Sequence, residues 1–146
     1  MIRAIDHSNE HHKERAFSLI EKTGKTRIAI VGLSFKAGTD DLRNSPIVDV
    51  IEKLKGKGYE VKIFDENVAL SRLVGRNKSF IEERLPHLCE MMTDDLKGMI
   101  RWAEVVVINN RHAAVDHFAD GQDKHIIDLV RIRDLEARKG YDGICW

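Results

Sequence analysis

The sequence predicts a three-layer α/β domain: a Rossmann-like, doubly wound parallel sheet with helices on both faces and a leading helix. Two observations carry this. Residues 27–31 (RIAIV), 104–108 (EVVVI) and 125–130 (HIIDLV) are short apolar runs of the kind a strand needs when both of its faces are covered. Between them lie stretches with helical periodicity, and strands alternating with helices at this spacing fold into parallel units with crossover helices.

Composition bounds the function. The 146 residues make one domain's worth of chain, enough to bury a core. The 24 basic and 24 acidic residues cancel, so no global field draws nucleic acid or an anionic membrane, and binding falls to a local site. Apolar runs are only a few residues long and the N-terminus is charged from Arg3, so the expectation is no transmembrane span, no secretory signal and a cytoplasmic location. Cys89 and Cys145 do not form a disulfide framework, which suits a reducing compartment.

In residues 1–21 the apolar positions Ile2, Ile5, Ala16, Phe17, Leu19 and Ile20 suit a helix in the second half of the stretch. His7 and His11 would share a helix face, but no third ligand is in view. A solvated helix is preferred over a metal site, and no metal is expected.

The strand at residues 27–31 ends at Gly32. Ser34, Lys36, Gly38, Thr39, Asp40, Asp41 and Arg43 follow at its carboxyl end, where open α/β sheets bind ligands. Ser45 reads as an N-cap accepting from free amides, and Pro46 as the first helical residue. A helix N-terminus beside this loop favours an anion, with Lys36 and Arg43 as candidate phosphate or carboxylate partners. The alternative is that both cations simply pair with Asp40 and Asp41 in a solvated loop. Gly32 and Gly38 do not make the G-x-G-x-x-G of a dinucleotide site.

The next helix presents Ile47, Val48, Val50, Ile51 and Leu54 on one face, has Lys53, Lys55 and Lys57 near its end, and stops at Gly56 or Gly58. Residues 59–64 alternate as a second strand. Asp65 after them reads as a turn or helix-cap residue ahead of a ribose ligand. Residues 70–85 read as helix, broken at Gly75 and ended before Pro86, and Cys89 as a structural thiol. Thr93 with Asp94 and Asp95 reads as the N-cap and first turn of a helix running through Trp102. Asn109, Asn110, Arg111 and His112 lie at the carboxyl end of the third strand as second-tier candidates. Asp128 lies near the end of the fourth, followed by Arg131 and Arg133. Residues 141–146 form a last short edge strand or cover one.

The stretch GLSFKAGTDDLRNSP closely resembles the opening of the C-terminal domain of the UDP-glucose/GDP-mannose dehydrogenase family, with its Gly, F-K pair, T-D-D and R-x-S-P. The resemblance continues through KGYEVKIFDENV, HIIDLV and the closing GYDGICW, and the wording is nearer the GDP-mannose branch than the UDP-glucose branch. It implies the same Rossmann-like fold. It also implies residues 1–24 as the end of an interdomain helix that contributes to dimerisation, and residues 25–146 as the nucleotide-sugar-binding domain. Within such an enzyme Phe35 and Lys36 contact the nucleotide-sugar, Lys36 supplying positive charge, and Arg43 reaches NAD bound mainly by an N-terminal domain. Asp41 would position Arg43. The UDP-glucose branch places an Arg almost at Val130, donated to the neighbouring subunit; this chain has Arg131 one place later. The reaction implied is oxidation of a sugar C6 alcohol to a carboxylate in two hydride transfers, through a cysteine of a G-F-G-G-x-C type motif. No such motif occurs in this chain, so no residue is assigned a catalytic role.

Two functions follow as expectations. One is a nucleotide-sugar-binding domain of a homodimeric NAD-dependent 6-dehydrogenase, inactive without its NAD-binding and central domains. The other is a stand-alone Rossmann-like nucleotide-binding or interaction module without redox activity.

Overall fold

The computed structural model describes residues 2–33, 45–65, 83, 88–110, 124–130 and 140–143. Helix α1 (Ile2–Lys22) leads into β1 (Arg27–Val31), α2 (Pro46–Gly56) and β2 (Glu60–Phe64). A short α3 (Leu88–Met91), α4 (Leu96–Trp102), β3 (Val105–Ile108), β4 (His125–Asp128) and β5 (Tyr141–Gly143) follow. The predicted helix over 70–85 lies outside the described residues apart from Glu83.

All five strands are parallel, in the order β2-β1-β3-β4-β5. The chain pairs β2 on one side of β1 and then returns to add β3 on the other. The strand order therefore reverses between β1 and β3, the switch point at whose carboxyl edge sheets of this kind take ligands.

Side-chain alternation along β1 and β3 divides the core in two. Ile28, Ile30, Val105 and Val107 face one layer, where they meet Ala16, Phe17 and Ile20 of α1 and Ile47, Val48, Val50, Ile51 and Leu54 of α2. Ala29, Val31, Val106 and Ile108 face the other, against Leu96, Met99 and Ile100 of α4. Each fully buried aliphatic side chain contributes about 1.5–3 kcal/mol relative to exposure, so these two layers are the main source of stability. Helix α1 extends through its first half as well as its second, and Ala16, Phe17 and Ile20 build it into the domain core. Lys13 couples the two helices by bonding Glu10 within α1 and Asp49 of α2 at 2.9 Å. The Glu10 hydrogen bond, assisted by Asp49, raises the Lys13 pKa above 10.5 against the opposing effect of burial.

Several boundaries moved from the sequence-based expectation, each for a local reason. Of the two glycines proposed to stop α2, Gly58 does so. It adopts φ +88, its N–H bonds Lys55 O at 3.1 Å, and the Tyr59 N–H bonds Leu54 O at 3.1 Å. This paired closure is a Schellman motif, and it keeps Tyr59 out of the strand, so β2 begins at Glu60. Strand β4 ends at Asp128 because the Asp128 carboxylate accepts the Val130 N–H at 2.9 Å and turns the chain. Asp95, rather than Thr93, is the N-cap of α4, its Oδ1 accepting from Gly98 N at 2.9 Å. Residues Tyr141–Gly143 do form an edge strand, pairing with β4.

At the amino edge, Glu104 accepts from the Thr26 and Arg27 amides at 3.2 Å each, and these bonds hold its carboxyl pKa below the usual value. Lys124 donates to the carbonyls of Arg101, at 2.9 Å, and Ala103 at the end of α4. Burial, reinforced by the nearby Arg27 charge, lowers its pKa. Among the described residues, no group of three or more His, Cys, Asp or Glu is arranged to hold a metal ion, and no helix is long and apolar enough to cross a membrane.

Candidate functional site at the carboxyl edge

The carboxyl ends of β1, β2 and β3 are drawn together by bonds that continue past the ladder. The Gly32 N–H donates to Phe64 O at 2.8 Å, and the Asn109 and Asn110 amides both reach Val31 O, at 2.8 and 3.4 Å. Gly32 is required twice over. Its φ is +89, and a Cβ placed on it would lie 2.5 Å from Asn110 Cβ and 2.8 Å from Asn110 N. The exits of β1 and β3 therefore meet with almost no space between them, at the switch point of the sheet.

Leu33 follows and is fully buried. Its N–H donates to Asp65 Oδ2 at 2.8 Å, and its carbonyl accepts from Ser45 Oγ at 2.8 Å. Asp65 is 5% exposed and binds across to the end of β1, a use that its expected place as a turn or helix-cap residue does not include; the residues after it lie outside those described. Ser45 does occupy the N-cap position, with Pro46 starting the helix, but its hydroxyl makes no cap hydrogen bond; it is turned back onto Leu33 O. The Ser45 carbonyl still receives Val48 N at 3.2 Å. The first turn of α2 therefore opens toward this edge without its serine cap.

Further along the edge, Leu129 N donates to Ile108 O at 2.9 Å, extending β3–β4 pairing by one bond. The fully buried Asp128 carboxylate accepts from Val130 N through Oδ1 and from the Tyr141 hydroxyl through Oδ2, each at 2.9 Å.

Of the residues singled out from the sequence, Asn109, Asn110, Asp65, Asp128 and Ser45 come together at this edge. Phe35, Lys36, Arg43 and Asp41 lie outside the described residues, as do Arg111, His112, Arg131 and Arg133. The segment carrying Phe35, Lys36 and Arg43 leaves the edge at Leu33 and rejoins it at Ser45. Leu33 and Tyr141 had no sequence signal marking them. An apolar residue whose backbone is held by two side chains, and a phenol that reaches one strand over, become visible only when the strands are in register.

These features define a class: an open, doubly wound parallel α/β domain, a fold whose members take ligands outside the carboxyl ends of their strands. Within that class, residues 29–135 match the model of the UDP-glucose/GDP-mannose dehydrogenase family, UDP binding domain, and the chain belongs to that family. It is 40% identical to the GDP-mannose 6-dehydrogenase of Pseudomonas putida over the whole of this chain and 34% of that protein. To the UDP-glucose 6-dehydrogenase of Rickettsia bellii it is 37% identical, over 60% of this chain and 20% of that one. The solved GDP-mannose dehydrogenase of Pseudomonas aeruginosa superposes with a TM-score of 0.88 at 38% identity, covering all of this chain and 34% of that structure. A UDP-glucose dehydrogenase from Pyrobaculum islandicum shares the fold at a TM-score of 0.76 and 23% identity, over 99% of this chain and 32% of that one. The chain spans about a third of the length of the GDP-mannose 6-dehydrogenases it matches.

Proposed function

We propose that this chain is the nucleotide-sugar-binding domain of an NAD-dependent nucleotide-sugar 6-dehydrogenase, with a GDP-sugar such as GDP-mannose as substrate. The observation that supports this most is positional. The motif GLSFKAGTDDLRNSP begins and ends at the carboxyl edge, at Gly32–Leu33 and Ser45–Pro46, beside the switch point where sheets of this class take ligands. Phe35 and Lys36 contact the nucleotide-sugar, the Lys36 ammonium offsetting charge near the diphosphate. The amide end of α2, free of its serine cap, adds partial positive charge on the same side.

The residues of this chain do not suit the principal NAD site. The glycine fingerprint is missing, and the acid at the end of β2, Asp65, is buried and bonded to Leu33 N. Arg43 is the contribution assigned to this chain, reaching NAD held by another domain. NAD, when bound, would supply the oxidising power for the sugar C6 alcohol, and the reactive cysteine of such an enzyme would lie outside this chain. This chain binds and orients; alone it does not turn over. Closure of the NAD-binding and central domains against it completes the pocket, in a cytoplasmic homodimer whose interdomain helix ends in residues 1–24.

Titration of this chain with GDP-mannose, UDP-glucose and GDP, followed by amide NMR shifts, tests the reading. Shifts clustered in residues 32–45 that are strongest with the guanine ligands and lost in Lys36→Ala are expected. Absence of shifts at millimolar ligand, both in this chain and in a protein joined to NAD-binding and central domains, would overturn it.

A further inference from the structure

Leu33 and Ser45 bracket the segment that carries Phe35, Lys36 and Arg43, and the structure joins them directly through Ser45 Oγ and Leu33 O. The other polar group of the Leu33 backbone is held by Asp65 from the neighbouring strand. Leu33, Ser45 and Asp65 are 0%, 4% and 5% exposed. Water is therefore a poor substitute for either bond, and losing one partner leaves a buried polar group unsatisfied. One side chain closes the base of the segment, and the other pins that base to β2. Both act on a single residue.

We infer that Asp65 and Ser45 are positioning residues for the nucleotide-sugar site, acting through Leu33 to set the take-off of residues 34–44 without touching ligand. This rests on the binding function proposed above. A carboxylate at the end of β2 is where a dinucleotide fold reads ribose, but its burial and its bond to Leu33 N give Asp65 a different task here. Ser45 likewise gives up the capping of α2 in favour of this clamp.

Positioning through one shared residue makes a specific prediction, because groups that act as a unit are not additive. Dissociation constants for GDP-mannose are measured by calorimetry for the native chain, Asp65→Ala, Ser45→Ala, the double variant and Asp65→Asn, with the folded fraction of each verified by urea titration. Asp65→Ala and Ser45→Ala should each weaken binding about tenfold, a loss of the size one buried hydrogen bond supports. The double variant should weaken it by roughly 10–30-fold, well short of the hundredfold product. Asp65→Asn keeps an oxygen that accepts from Leu33 N and should restore binding to within about threefold of native. The 2′,3′-dideoxyribose analogue of GDP-mannose should lose the same factor on Asp65→Ala as GDP-mannose itself. Multiplicative losses, unchanged affinities, or an Asp65→Ala effect that disappears with the dideoxy analogue would overturn the inference while leaving the binding function intact. A native chain that binds no nucleotide-sugar, alone or joined to its other domains, would overturn the function and the inference together.

Discussion

The Tyr141 hydroxyl donates to Asp128 Oδ2 at 2.9 Å, tying the edge strand β5 to the end of β4. The other Asp128 oxygen accepts from Val130 N at the same distance. A fully buried carboxylate is thus shared between the edge strand and the turn that carries the chain toward Arg131. Such a group is costly to leave underbonded. Tyr141→Phe should destabilise the domain by about 1–2 kcal/mol, with little change in the denaturant slope, as read by urea unfolding. An unchanged midpoint would show that the bond is not formed in solution.

Gly32 tests the closeness of β1 and β3. Gly32→Ala forces a side chain into a left-handed backbone and into the Asn110 Cβ and amide. A loss of at least about 2 kcal/mol in thermal or urea unfolding is expected. Asn110→Ala should not rescue it, since the colliding Cβ and backbone nitrogen remain.

Gly98 gives a result opposite to its usual behaviour. Glycine to alanine within a helix ordinarily gains up to about 1 kcal/mol. Here the added Cβ would lie 2.1 Å from Asp95 Oδ2, so the cap of α4 must be given up, at about 1 kcal/mol. Gly98→Ala alone should therefore be near neutral, whereas the same change made in an Asp95→Ala background should show the full gain. Equal effects in both backgrounds would refute the coupling.

Glu104 carries the acid sensitivity of the amino edge. Bonds from the Thr26 and Arg27 amides, with Arg27 and Lys25 charges adding, lower its folded pKa below the ordinary 4.5. The unfolded chain therefore takes up the proton first. The stability contributed by the carboxylate is complete well above pH 4.5, and it is lost as pH falls below that value through the folded pKa. Glu104→Gln should be less stable than the native chain at pH 7, and the gap should close on acidification to about pH 3. A gap that is constant with pH would rule out the charge as its origin.

Much of the architecture was legible because it rests on short-range patterns. The run Ile28–Val31 announces a strand covered on both faces, Ile47, Val48, Val50, Ile51 and Leu54 mark the buried stripe of α2, and Pro46 marks its start. The order of these elements was enough for a parallel sheet. Boundaries that depend on hydrogen bonds were less readable. Either Gly56 or Gly58 suits a helix stop in sequence, and the choice falls on Gly58 because Tyr59 and Gly58 together close on Leu54 and Lys55. The bonds that Asp65 and Ser45 make were unreadable for a similar reason. Each residue has a common local use, as turn residue or N-cap, and each also meets Leu33, a partner 32 positions away for Asp65 and 12 for Ser45; for Ser45 that bond replaces the side-chain cap.

The sequence by itself determined the class of the domain, its family motif and the stretch that carries the proposed ligand contacts, because periodicity, punctuation and motif spacing are properties of neighbours along the chain. Only the tertiary structure decided which side chains hold that stretch. Parallel register sets Asp65 beside Leu33 and Tyr141 beside Asp128, and burial then makes each bond costly to lose.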